Sequence, residues 1–217
     1  MPSRRCVLLS LITLAFGLSG CQILTGVTYF LRPPQIQKAA FRFDDGPVAI
    51  FIESAAAEGG IPIFERELHT KLRDIFRAKK ISRKVVPHDR AMNLPRRHPD
   101  FRTWNLQKIG RELGADQLLY VRIMELRVRE SRDAPLLNPM VRLEIKVIDV
   151  NVPPTRARAW PETAGGHELA PVTRQAQEIS SRAQTDRATV KLARDAAYRV
   201  AEPFYDVDLE ARTPREP

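Results

Sequence analysis

Leu18-Ser19-Gly20-Cys21 closes a short apolar run, the setting in which a cysteine becomes a lipid attachment point. Arg4 and Arg5 form a positive n-region, and Val7 to Leu18 is apolar apart from Ser10, Thr13 and Gly17. About twelve such residues make a signal-peptide core and fall short of the roughly 20 that span a bilayer. Small residues at Ser19 and Gly20 suit a peptidase that admits an extended segment. Leu18, Ser19, Gly20 and Cys21 therefore read as a lipobox, with the Cys21 thiol forming a thioether to diacylglycerol. An ordinary secretory leader with a chance cysteine, or a cytosolic chain with an apolar start, are the alternatives. Cys6 is the other cysteine and lies in the leader, so the mature chain keeps no thiol for a disulfide, a metal site or a nucleophile.

The remaining chemistry-bearing residues form no recognised constellation. His69 follows Leu68 at the edge of an apolar helical face and reads as structural. His88 precedes Asp89, and His98 precedes Pro99-Asp100. Such a pair would bind a metal only if the loop folded back, and it lacks a tight spacing such as His-Glu-x-x-His. His167 has no evident partner. Asp44-Asp45 stands before Gly46-Pro47 and reads as a turn. No serine sits in a Gly-x-Ser-x-Gly setting, and Gly59-Gly60 lacks the lysine and spacing of a phosphate loop. No catalytic residue, cofactor or metal is expected beyond the lipid on Cys21.

The chain has 217 residues and a formal charge of +9. Removing residues 1–20, which carry Arg4 and Arg5 and no acid, lowers that charge by two. An exported basic chain meets anionic head groups, acidic glycans or acidic proteins rather than nucleic acid. Arg90, Arg96, Arg97 and Arg102, with Phe101 and Trp104 beside them, are the candidate gripping residues. Leu136 and Leu137, at the tip of a hairpin loop beginning at Pro135, are a candidate apolar contact or else fold back onto the body. A solvated arginine-rich surface is the plain alternative. The expected partners are a bilayer, through the acyl chains, and an envelope protein, with a homo-oligomer left open. Gln22 replaces the aspartate that holds many lipoproteins at the inner membrane, so the expected address is the outer membrane, facing the periplasm.

Residues 1–20 read as leader, 21–46 as lipidated N-terminus and tether, 47–205 as one α/β domain, and 206–217 as a disordered tail. Within the tether, Thr28 to Leu31 would rest at the membrane interface and Pro33-Pro34 would stiffen the chain. Val48 to Ile52 is a continuous apolar run, as in a strand buried on both faces. Ile61, Phe64, Leu68, Leu72, Ile75 and Phe76 recur at helical spacing. Ile81 to Val86 is a short strand candidate, and residues 87–103, with Pro87, Pro95 and Pro99, read as irregular. Asn105 is a predicted N-cap and Gly114 a predicted C-cap. Leu118 to Val128 begins solidly apolar and then alternates. Val141, Leu143, Ile145 and Val147 alternate with charged residues, which predicts an antiparallel partner strand. Arg156 to Trp160 reads as an edge strand, and Pro161 to Thr185 as loop with a helical turn near 172–179. The last helix starts at Asp186, and Pro203 stops or kinks it. The fold class is α/β with an α+β tendency: a mixed sheet of about four to five strands and about three packing helices, in the order β-α-β-α-β-β-(β)-α.

Three segments together resemble the envelope α/β domains of CsgG, the TolB N-terminal domain and the LpoB-type activators of penicillin-binding proteins. They are Val48-Ala49-Ile50-Phe51 with the helix after it, Leu106 to Asp116 ending in Gly114-Ala115-Asp116, and the strand Gln117 to Met124. The likeness covers roughly residues 47–150. It implies a fold and a non-catalytic assembly role in an envelope complex. It does not extend to a pore, because the loop at 130–139 is too short for barrel hairpins of about 9–11 residues per strand. The short tether also differs from the long one usual in LpoB-type activators. A small-molecule or glycan-binding lipoprotein, such as a transporter accessory subunit, is the alternative.

Overall fold

The computed structural model describes residues 35–54, 62–129, 136–163, 165–178 and 181–209. The lipobox, Gly59-Gly60, Pro135 and the end of the tail lie outside the described residues. The compact unit runs from Lys38 to Val207. A separate terminal unit includes residues 35–37 and 208–209, in which the Leu209 N–H donates to the Gln35 carbonyl. No helix among the described residues is long and apolar enough to cross a membrane.

The α/β class expected from the sequence is the class observed. Strand β1 (Val48–Ser54) runs parallel to β2 (Gln117–Arg129), with Val48 opposite Gln117 and Ser54 opposite Ile123. Strand β3 (Leu136–Asp149) is antiparallel to β2, with Gln117 opposite Asp149. The outer edge of β3 is paired in succession by β4 (Arg158–Trp160), β5 (His167–Glu168), β6 (Val172–Thr173) and β7 (Gln177–Glu178). These four short pieces act as one broken edge strand. This corrects the loop and helical turn expected within 161–185. Segments of two or three residues are too short to show a period, and their pairing is supplied by β3.

Helices cover both faces. On one, α1 (Pro62–Ala78) and α4 (Arg182–Ala201) pack over Val48, Ile50, Leu119, Val121, Val141, Leu143, Ile145 and Val147. On the other, α2 (His88–Arg97), a 3-10 turn (Phe101–Thr103) and α3 (Leu106–Glu112) pack over Ala49, Leu118 and Ile148. Cover on both faces explains why Val48-Ala49-Ile50 is apolar at every position. α1 forms because Phe64, Leu68, Leu72, Ile75 and Phe76 make one apolar stripe, with Glu65 in the first turn and Arg77 in the last, each matching the helix dipole. Arg194 of α4 reaches Glu67 of α1 at 2.6 Å and braces the two helices.

Four further expectations are corrected. Residues 81–86 are no strand: Val85 makes a single bridge to Val48, and Pro87 then turns the chain into α2. Residues 88–97 are helical despite the prolines. Pro87 takes the N-cap position, Pro95 falls within the final turn, and His98 is extended at φ −127°, ψ 102°, as a residue preceding proline must be. α4 begins at Arg182 rather than Asp186, because Ser181 Oγ accepts the Gln184 N–H as an N-cap. Finally, the folded unit begins before the expected boundary at 47: Phe41 and Phe43 pack against the core with Phe204 and Phe76.

The Gly114-Ala115-Asp116 segment now has a physical account. Asn105 Oδ1 accepts the Lys108 N–H at the start of α3, and Gly114 follows its C-cap at φ +68°, where a side chain is strained. Ala115 is buried, and Asp116 accepts the Asn151 side-chain amide at 2.9 Å. α3 is pinned by Gln107, whose amide donates to the Asp149 and Val152 carbonyls. It also sits close to the sheet: a Cβ on Gly110 would stand 2.4 Å from Val150 Cγ2. Val150 is buried and β-branched, so it cannot swing away. Gly110→Ala is expected to cost about 1–2 kcal/mol, overpacking outweighing the better helix propensity. Denaturant titration checks this. In the Val150→Ala background the same change should be neutral or stabilising.

Candidate functional site: an arginine face on the α2–α3 layer

The layer formed by α2, the 3-10 turn and α3 is held to the sheet by a small apolar set, Ala91, Leu94, Ile109 and Leu113. What it turns outward is basic. Arg90, Arg96 and Arg97 project from α2 and Arg102 from the 3-10 turn, and all four are exposed. Among the described residues none of the four makes an ion pair, unlike Arg42, Arg142, Arg174 and Arg194. Of the acids of this layer, Asp100 and Glu112 are engaged, and Asp89 is next to Arg90 in the chain. Asp100 accepts the Trp104 indole N–H at 2.8 Å and receives Lys108 at 3.3 Å. The Trp104 hydrogen bond is the main reason its carboxyl is held below the usual carboxylate range. Glu112 lies 3.4 Å from His98. Asp89 stands at the opposite end of α2 from Arg96 and Arg97. Four uncompensated guanidinium groups on one layer have the fork geometry that grips carboxylates or phosphates bidentately.

Trp104 is half-buried and already surrounded. Lys108 Nζ sits 4.1 Å from its ring centroid, and the His98 and Phe101 rings lie at 4.7 and 5.6 Å. It ties the 3-10 turn to α3 and braces the loop that carries Arg102. Leu136 is 45% exposed, but Leu137 is fully buried with Val128 and Ala188. Leu137 is thus corrected from surface contact to core. The period-two pattern extended back from Val141 places 137 on the inward face, so the signal was present.

The histidines are scattered. His88 and His98 start and follow a ten-residue helix, about 15 Å apart at roughly 1.5 Å per residue, so they cannot share one ion. His88 instead meets His69, ring centroids 4.6 Å apart, and His167 lies tilted against Trp160 at 4.8 Å. Among the described residues there is no group of three or more metal-ligating side chains. Asp44 directly precedes a bend at Asp45-Gly46, and its N–H donates to Gln117 Oε1.

Sequence reasoning missed two basic cavities. One, of about 290 Å³, lies beside α4 and is lined by Arg174, Arg187 and Lys191. The other, of about 330 Å³, is lined by Arg42, Lys79, Lys80 and Asp206. In the second, Asp206 already holds Arg42 at 2.7 Å and Lys38 at 3.3 Å.

No protein-family model matches the sequence, and no curated protein matches it. Among solved structures, the chain is similar to PelC from Paraburkholderia phytofirmans, described as a dodecamer, at 14% identity and TM-score 0.37 over 79% of this chain and 95% of that one. It is similar to lipoprotein GNA1162 from Neisseria meningitidis at 13% identity and TM-score 0.39, over 70% and 97%. It is also similar to TolB from Acinetobacter baumannii at 11% identity and TM-score 0.27, over 76% and 30%.

Proposed function

We propose that this chain is a lipid-anchored protein of the bacterial envelope whose α/β domain acts as a non-catalytic adaptor, its arginine face docking on an acidic surface of an envelope protein. The observation that carries the reading is the set Arg90, Arg96, Arg97 and Arg102, exposed and without ion pairs among the described residues. A guanidinium that meets an acid on the partner side completes a charge-assisted pair there. Cys21 supplies the anchor. With the folded unit starting at Lys38, the intervening chain reaches at most about 55 Å at roughly 3.3 Å per residue. Confinement near one membrane raises the effective concentration for a partner in the same layer. The outer membrane facing the periplasm remains the proposed location.

In-cell crosslinking, detergent extraction and mass spectrometry test both halves. Cys21→Ser is expected to leave an unprocessed precursor that takes up no labelled fatty acid, and normal labelling would remove the anchor. Replacing Arg90, Arg96, Arg97 and Arg102 by glutamate is expected to leave membrane attachment intact and abolish recovery of the partner. Unchanged recovery would overturn the docking face. Recovery of this chain alone would favour a homo-oligomer or the ligand-binding reading, to which the cavity beside α4 lends weight.

A further inference from the structure

The cavity beside α4 is bounded by Pro139 of β3, by Arg174 and Gln175 just after β6, and by Ser181 with the first half of the helix. Among the described residues its polar lining is Arg174, Gln175, Ser181, Gln184, Arg187 and Lys191, with no carboxylate. At about 290 Å³ it lies at the lower end of the range of ligand cavities, so it suits a small group.

Among the described lining residues the charges do not cancel. The Arg174 guanidinium is paired with Asp195. Asp195 stands one helical turn beyond Lys191 and is the acid that would otherwise balance it. Arg187 Nε donates to the Ala183 carbonyl at 3.3 Å, which steadies its guanidinium along the helix without neutralising it. Neither Arg187 nor Lys191 has a carboxylate partner among the described residues. The two are four residues apart on one helix, a spacing at which like charges repel and destabilise. Retaining that repulsion against the wall of a cavity makes sense if an anion relieves it.

Two uncompensated cations select among anions. A carboxylate balances one of them. A phosphate monoester carries about −1.5 to −2 at neutral pH and balances both, with three oxygens to share between a fork and an ammonium. Gln175 and Ser181 add neutral hydrogen-bonding groups for hydroxyls next to the ester. We propose that this cavity binds the phosphate monoester of a small polyol, either free or as the head of a lipid. The site lies in the α1–α4 layer, on the opposite face of the sheet from the arginine face, and stands whether or not that face docks a protein.

The test is calorimetric titration of the full chain in detergent with two probes, glycerol 3-phosphate and lysophosphatidic acid. Glycerol and lysophosphatidylcholine, which lack a monoester, serve as their controls. The expected result is saturable binding of a monoester probe, no binding of the controls, and at least a tenfold weakening in Arg187→Gln and in Lys191→Gln. Arg96→Gln, on the other face, should bind as the parent chain does. Binding of both monoesters points to the phosphate group alone, and binding of lysophosphatidic acid only points to a lipid head. Failure of both probes to bind, equal binding of glycerol, or full affinity in the two α4 variants overturns the proposal. Arg187 and Lys191 are exposed, so unchanged melting of the variants confirms that folding is not at issue.

Discussion

Phe204→Ala is expected to lower the free energy of unfolding by about 4 kcal/mol, the usual range for a fully buried phenylalanine being about 3–5 kcal/mol. Phe204 is 2% exposed and joins four parts of the chain. Its ring lies 6.4 Å from Phe41 and 5.0 Å from Phe43 in the segment before β1, 6.2 Å from Phe76 on α1, and 5.6 Å from Trp160 on β4. All four of these contacts are edge-on, the arrangement in which one ring's positive rim meets another's negative face. The neighbouring Pro203 carbonyl accepts the N–H groups of Ala40 and Phe41, so the backbone holds the same elements together. A hole here cannot collapse from one side without moving the others, which puts the cost in the upper part of the range. Phe41→Ala, at a half-buried ring on the rim of the cluster, should cost about half as much. Equilibrium unfolding in urea separates the two. A loss below about 1.5 kcal/mol for Phe204→Ala would mean that the segment before β1 does not pack on the domain.

This cluster also shows where sequence reading stops. Val48 to Ile50, α1 and the alternation in β3 were legible because a period of two or 3.6 is written into adjacent residues. Phe41 and Phe43 alternate over three positions only, and the partner that buries them lies far along the chain at Phe204. Nothing local separates them from a tether. α2 was hidden by its prolines: Pro87 sits at the N-cap, and Pro95, inside the last turn, costs the helix one backbone hydrogen bond without ending it. The broken edge strand was hidden by its brevity. At the candidate site the residue types were readable and their state was not. Four arginines in one region are visible in the sequence, but whether each finds an acid depends on the fold, and here Asp100 and Glu112 are held by Trp104, Lys108 and His98. The cations of the α4 cavity could have been found from the spacing of Arg187 and Lys191. Their significance rests on Arg174 capturing Asp195, which no local pattern announces.

His69→Leu is expected to make the domain more stable and to flatten its loss of stability in acid. The His69 ring is 1% exposed on the inward side of α1, and neither ring nitrogen has a hydrogen-bond partner. An unpartnered buried polar group costs about 1–3 kcal/mol, so leucine, which has no such group, should gain on the order of 1 kcal/mol at neutral pH. Burial pushes the His69 pKa down to about 3, with the nearby His88 and Arg73 adding to the effect. The folded value therefore lies below the unfolded value of about 6.5. Below that pH the unfolded chain takes up a proton that the folded chain refuses, so stability is whole above pH 6.5 and falls as the pH drops. The slope approaches about 1.4 kcal/mol per pH unit, giving a loss of about 2–3 kcal/mol by pH 4.5. His88, lowered mainly by burial and by Arg66 but opposed by Asp89, leans the same way and persists in the variant. Carboxylates distant from His69 titrate in both proteins and cancel in the difference. The gap between the parent and His69→Leu should therefore widen steadily from pH 6.5 to pH 4.5 in denaturant titrations. Parallel curves would show that the ring can be protonated in place, and that α1 opens a path for water at this point without unfolding.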